Sequence, residues 1–264
     1  MATYTTVADG NGDFTVSFPA SYTGGEKITV TSEKDEATKS IELYAPSEVV
    51  GGGAIQFSGD MSNFPLNIGN VTLSSEISGA IGNNAFNAGN TLFAQATGLT
   101  ILGSVTSIGA NAFSGWSKSK FLILPESISS ISGGAFGQWI ESTSLVLPSG
   151  ITSIPDLCFY NWRALVEILI PDLVTSIGQQ AFRSCISAIK LTLPASLILI
   201  GSEAFRDLTA CNEIICKAVS PPTITSNTFT GLKATCVIKV PAASVAEYQA
   251  APNWSAFASR IQAI

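Results

Sequence analysis

Seven phenylalanines mark out this chain at almost equal intervals, and that spacing restricts its fold more than any other feature. Phe113, Phe136, Phe159, Phe182 and Phe205 follow one another every 23 residues, with Phe86 27 residues before the first and Phe229 24 after the last. Most close a cassette of the form Ile-x-x-x-Ala-Phe, as in Ile108 to Phe113 and Ile177 to Phe182. A fixed period in the twenties is the mark of a solenoid, in which each repeat is one coil that buries its apolar face only against its neighbours. This predicts a rod of stacked coils rather than a closed core.

Each coil can be written from its anchor phenylalanine. Twelve residues on stands Pro125, Pro148, Pro171, Pro194 and finally Pro241. Before it come Leu122-Ile123-Leu124, Leu145-Val146-Leu147, Ile168-Leu169-Ile170, Leu191-Thr192-Leu193, Ile214-Ile215-Cys216 and Ile238-Lys239-Val240. Successive residues of a strand face opposite sides. The residues nine and eleven after the anchor therefore point inward and the tenth outward, and proline, lacking an N–H, ends the strand. β-Branched runs such as Val105-Thr106-Ser107-Ile108, Ile151-Thr152-Ser153-Ile154 and Val174-Thr175-Ser176-Ile177 suggest a second short strand in each coil. After Gly109, Gly178 and Gly201 the Ala-Phe step is expected to form one turn of helix. Parallel strands stack about 4.8 Å apart, so seven coils make a rod about 30 Å long.

Residues 1–50 follow another pattern. Phe14 to Phe18, Ile28 to Thr31 and Ser40 to Tyr44 read as strands, with turns at Asp9 to Asp13 and Thr23 to Gly25. Pro46 and Gly51-Gly52-Gly53 suggest a linker over 51–63. Asp9-Gly10-Asn11-Gly12-Asp13 opens like a calcium loop, but the twelfth position, which needs a carboxylate, is Ala20. A tight turn is the expectation there.

Composition narrows the chemistry. Only 12% of residues are charged, the net charge is −6, and no Lys/Arg-rich run exists, which argues against a nucleic-acid partner. There is no histidine, so the commonest general base and zinc ligand are missing. Cys158, Cys185, Cys211, Cys216 and Cys236 show no C-x-x-C spacing and read as small buried hydrophobes, though Cys211 could bridge to Cys216 or Cys236. Asp156, Glu167, Asp172 and Glu203 are scattered singly, and Gly51 to Gly53 lacks the Lys-Ser/Thr of a phosphate loop. No catalytic, cofactor or metal residues are assigned, and the chain is not expected to be an enzyme. No stretch reaches the about 18 apolar residues of a membrane span. Met1 to Tyr4 open without the basic and apolar regions of a secretory signal.

Two columns could carry function. The outward strand ladder reads Ile123, Val146, Leu169, Thr192, Ile215 and Lys239, flanked two residues earlier by Phe121, Ser144, Glu167, Lys190, Glu213 and Val237. A row of aliphatics on an outer face is either a contact surface or a ladder packing on itself. From these columns Phe121, Ile123, Val146, Glu167, Leu169, Lys190, Thr192, Ile215 and Lys239 are taken as the candidate binding face. The second column, three after the anchor, is Trp116, Trp139, Trp162, Cys185, Leu208 and Leu232. Exposed tryptophans could stack on sugars, and Gln138, Asn161 and Arg163 lie beside them. Substitution by Cys and Leu in register points instead to a buried slot.

These residues closely resemble the leucine-rich repeats of the BspA type, with consensus L-x-x-I-x-L-P-x-x-V-x-x-I-G-x-x-A-F, over about residues 75–264. The resemblance implies a leucine-rich repeat solenoid at 64–241 and a helical cap at 242–264, where Trp254, Phe257 and Ile261 make one apolar stripe. Asp9 to Phe14 and Gly24 to Thr31 resemble part of a bacterial immunoglobulin-like domain lacking its first strands. An incomplete sandwich has an open edge that invites pairing, so residues 1–50 are expected to attach to a partner or form a homo-oligomer. BspA-type repeats occur in bacterial surface adhesins and in phage virion proteins. The first reading is a phage virion protein on the virion surface, contacting virion subunits or a host-surface protein or glycan. The second is a bacterial cell-surface adhesin, and a third a carbohydrate-binding accessory module.

Overall fold

The structure, a computed structural model, describes residues 68–75, 77–89 and 93–264, together with the backbone of four earlier strands, Phe14–Ser17, Lys27–Lys34, Ala37–Tyr44 and Ala54–Phe57. The turns expected at Asp9 to Asp13 and at Gly24-Gly25, and the break at Gly51 to Gly53, lie outside those residues.

The repeats wind as a solenoid with short parallel strands. A first sheet runs through Asn70–Leu73, Gly98–Ile101 and Leu122–Ile123, and resumes at Glu167–Leu169, Lys190–Leu193, Glu213–Cys216, Val237–Val240 and Ile261–Ala263. A second sheet joins Ser78–Ile81, Ser104–Ile108 and Ser130–Ile131, then Ser153–Ile154, Ser176–Ile177 and Leu199–Ile200. Register follows the period, with Glu167 beside Lys190 and Lys190 beside Glu213. Anchors Phe113 to Phe205 are fully buried, and the residues nine and eleven later fill the interior, as Ile168, Ile170, Leu191 and Leu193 do.

The turn carrying each anchor is not the expected helix. The residues two before and two after the anchor take left-handed backbone, as in Asn111 (φ 53) and Gly115 (φ 86), or Gln180 (φ 56) and Ser184 (φ 63). Alternating right- and left-handed residues cannot continue a helix. The alternation instead aims every second N–H along the rod. Asn111, Phe113 and Gly115 donate to the carbonyls of Gly133, Ala135 and Gly137 at 3.0, 2.8 and 2.8 Å, and Gln180, Phe182 and Ser184 repeat the pattern. This third ladder runs through every coil from the one anchored by Phe86 to the one anchored by Phe205.

Both sheets stop at one interface, and the first resumes only two coils on, at Glu167–Leu169. Among the described residues no backbone bond joins Leu122 to Leu124 with Leu145 to Leu147, and the latter form no strand, contrary to the sequence reading. On the second sheet the cause is legible. Gly109, Ser132, Gly178 and Gly201 each donate an N–H to the coil before, to Ile81, Ile108, Ile154 and Ile177 at 2.7 to 2.8 Å. Pro155 holds that slot in the coil between and has no N–H to give Ile131. The slot favours glycine, because a Cβ on Gly178 would meet the Asp156 backbone nitrogen at 2.6 Å. Across the break the turn ladder persists, with Gly134, Phe136 and Gln138 donating to Asp156, Cys158 and Tyr160. Phe136 and Phe159 are 5.9 Å apart, the widest step in the phenylalanine stack.

The two ends are closed by strands as much as by helix. Ala54–Phe57, within the stretch read as a linker, pairs antiparallel with Asn70–Leu73, and Phe14–Ser17 pairs with Ala54–Phe57. The free edge of the first coil is thereby covered, which is what an open ladder demands. Lys27–Lys34 and Ala37–Tyr44 form a separate antiparallel pair. At the far end come a short α-helix, Val245–Ala250, and a 3-10 helix, Trp254–Arg260. Ile261 then begins a strand that pairs with Val237–Val240 rather than extending a helical stripe. Trp254 is buried, and its indole donates to the Pro222 carbonyl at 2.7 Å.

Candidate functional site

The outward column recurs in every coil, but as a paired ladder it is interrupted at Leu145 to Leu147, and its character changes along the chain. Ile123, Val146 and Leu169 are 53%, 74% and 58% exposed, one after another around the sheet break. Thr192, the next residue, is only 7% exposed, covered from either side by Leu169 and Ile215. It cannot serve as a contact residue, which corrects its place in the sequence-based face. Ile215 and Lys239 are half-buried.

The flanking column divides at the same place. Phe121 lies over Gly98, where any Cβ would meet its ring, so that ring packs on the preceding coil. Farther along, charge alternates in register. Lys190 Nζ is 3.8 Å from Glu167 Oε1, and Lys239 Nζ is 2.6 Å from Glu213 Oε1. Exposed pairs of this kind contribute about 0.2 to 1 kcal/mol each and mainly hold the ladder in register. The structure thus leaves Ile123, Val146 and Leu169 exposed at the same position of three successive coils, and pairs Glu167 with Lys190 and Glu213 with Lys239.

Sequence reasoning missed Val166 and Ile189. Both are nearly half exposed at the leading edge of their strands, on consecutive coils, and Ile189 N–H donates to the Val166 carbonyl at 2.9 Å. Two β-branched residues in a row at the seventh position after the anchor were the available signal. They lie before the strands begin, where alternation no longer tells inside from outside.

The tryptophan column is interior. Trp116, Trp139 and Trp162 are fully buried, stacked nearly parallel at 5.6 and 5.5 Å, with Phe93 below Trp116 at 5.2 Å. Each indole donates to the carbonyl of the anchor one coil back, Phe86, Phe113 and Phe136, at 2.7, 2.7 and 2.6 Å. No indole face is free for a sugar, so the carbohydrate reading loses its stacking platform. Among the described residues no three of His, Cys, Asp and Glu gather to hold a metal, and no helix is long and apolar enough to cross a membrane. Glu203 accepts from Arg183 and Arg206 at 3.0 and 2.8 Å in a self-compensated cluster beside the turns.

The BspA type leucine rich repeat region matches residues 79–212 and 152–249, in six copies. The chain belongs to this family. The solved structure of a leucine rich cell surface protein from Faecalibacterium prausnitzii is similar to this BspA-type chain at 19% identity, covering 72% of this chain and 70% of that one with a TM-score of 0.51. A leucine rich repeat protein of T. pallidum matches at 24% identity over 65% of this chain and 71% of that one, with a TM-score of 0.41. No curated protein matches the BspA-type chain. Proteins built of such repeats are generally binding or structural proteins rather than enzymes.

Proposed function

We propose that this BspA-type repeat protein is a non-enzymatic binding protein that meets a protein partner through the strip Ile123, Val146 and Leu169, widened by Val166 and Ile189. The observation behind this is that three successive coils each leave an aliphatic side chain more than half exposed in one column, while the next coil buries a threonine there. An apolar strip rimmed by charged pairs is the usual composition of a protein contact surface. The setting proposed is a bacterial cell surface, the setting named for the Faecalibacterium protein that shares the fold.

The test is a Val146→Asp, Leu169→Asp double variant compared with wild type for binding to bacterial and host cells. Binding is expected to fall at least tenfold while circular dichroism is unchanged. Undiminished binding would assign recognition to another face. A virion subunit using the same strip is the second reading, supported by the short β segment ahead of the repeats. Tail or capsid genes beside the reading frame would favour it, and light scattering would show whether residues 1–50 bring copies of the chain together.

A further inference from the structure

We propose that Cys211 and Cys236 form a disulfide that ties the last coil of the solenoid to the one before it. Cys211 stands two residues before the strand Glu213–Cys216, and Cys236 immediately before Val237–Val240, the strand beside it. The Cys236 thiol donates to Cys211 Sγ at 3.8 Å, van der Waals contact between two sulfurs 25 residues apart in sequence. Both side chains are fully buried, so nothing lies between them. In earlier coils the position of Cys211 is filled by Ser119, Ser142, Leu165 and Ala188, so packing alone does not require sulfur there. The two sulfurs must close from 3.8 Å to the S–S length of about 2.05 Å.

No other pairing fits. The strand Glu213–Cys216 separates Cys211 from Cys216, and among the described residues no contact joins their sulfurs. Cys216 Sγ is instead 3.2 Å from the Tyr248 hydroxyl. Cys158 and Cys185 occupy separate interior columns, and burial pushes the Cys185 thiol up to about 12. Cys211 differs from them. The hydrogen bond from Cys236 lowers its thiol below the ordinary range, with Lys233 adding to the effect, while Cys236 is raised by giving that bond and by burial.

With a small-molecule disulfide such as oxidised glutathione the step balances. The Cys211 thiolate attacks one glutathione sulfur, the glutathione S–S bond breaks, and one glutathione leaves as thiolate and takes up a proton. The Cys236 thiolate then attacks Cys211 Sγ, the mixed disulfide breaks, and the second glutathione leaves. Two cysteine thiols lose two electrons and two protons, and one glutathione disulfide becomes two glutathiones. Because both sulfurs are buried, the exchange takes place during folding or when the last coil opens together with the cap strand paired to it.

The experiment is refolding of the full chain in a reduced and oxidised glutathione buffer, followed by a non-reduced peptide map and a thermal melt. One cross-linked peptide pair joining Cys211 to Cys236 is expected, with Tm roughly 5–10 °C above that of the reduced protein. Cys216→Ser is expected to keep both effects, and Cys211→Ser or Cys236→Ser to lose both. Five alkylatable thiols after oxidative refolding, or Cys211 linked to a different cysteine, overturns the proposal. If a serine variant does not fold, the wild-type map alone decides. The binding face is not involved, so loss of the cross-link and loss of cell binding are separate outcomes.

Discussion

The indole Nε1 of Trp139 donates to the carbonyl oxygen of Phe113 at 2.7 Å, across a coil interface and out of reach of water. The anchor's own N–H goes to the same coil, to the Ala135 carbonyl. Phe86, Phe113 and Phe136 are thus satisfied on both backbone atoms by residues of the next coil. Where Cys185 replaces tryptophan, its Sγ lies 3.7 Å from the Phe159 carbonyl, a weaker substitute in the same place.

Trp139→Phe keeps an aromatic ring in the stack but removes the donor. A buried carbonyl left without a partner costs about 1–3 kcal/mol, to which the lost ring volume adds. The midpoint of urea denaturation is expected to fall accordingly, and an unchanged midpoint would mean that water reaches Phe113.

Leu157 takes left-handed backbone (φ 58) in the slot that Asn84, Asn111 and Gly134 fill in other coils, and its side chain is largely exposed. A branched side chain there costs on the order of 1–2 kcal/mol, which asparagine avoids in part. Leu157→Asn is expected to raise stability by about 1 kcal/mol, measured by thermal or urea denaturation.

Pro155→Ser supplies the N–H that Ser132 has one coil earlier. The new bond to the Ile131 carbonyl is worth about 0.5–1.5 kcal/mol, and losing proline's restriction of the unfolded chain costs about 0.4–1 kcal/mol. Global stability should therefore hardly move. Hydrogen exchange is the discriminating measurement, with the amide of residue 155 expected to become protected.

Glu126 accepts from the Ser149 N–H at 2.9 Å and from its hydroxyl at 2.8 Å, a side-chain link across the same interrupted interface. Those bonds, the backbone one first, hold its carboxyl below the ordinary value of 4.5. A depressed value in the folded state means the contribution is complete above pH 4.5 and is lost as pH falls through the folded value. The stability difference between wild type and Glu126→Gln is expected to be full at pH 6 and to shrink progressively as pH falls below 4.5, as read from paired melts.

The period itself exposes the core, because a residue that recurs every 23 positions and tolerates only apolar exchange must face inward. The buried tryptophan column was legible for that reason: Cys185 and Leu208 stand in its register. The turn was not, since Asn, Gln, Glu, Ser, Asp and Leu all adopt left-handed backbone here and no single residue type announces it. The interruption at Pro155 was written in the sequence as a proline in a glycine column, but its meaning depends on knowing that the glycine N–H crosses to the preceding coil. Ala54–Phe57 went unread because a four-residue strand has no periodicity of its own and is defined by the edge it covers. The apolar strip could be listed but not divided, because only the neighbours of Thr192 reveal that it is covered.

Three of the four tryptophans stand in one stack beside the interrupted interface, and the fourth lies in the C-terminal cap. Ultraviolet light absorbed by any indole of the stack can pass to the next. Emission therefore reports on the middle of the molecule as a coupled chromophore. A terminal coil could peel away from the far end of such a rod with little change in the emission of the stack, while Trp254, buried in the cap with its indole on the Pro222 carbonyl, would be uncovered and report that opening separately. The stack makes the protein its own local thermometer, placed where two of its three backbone ladders are missing.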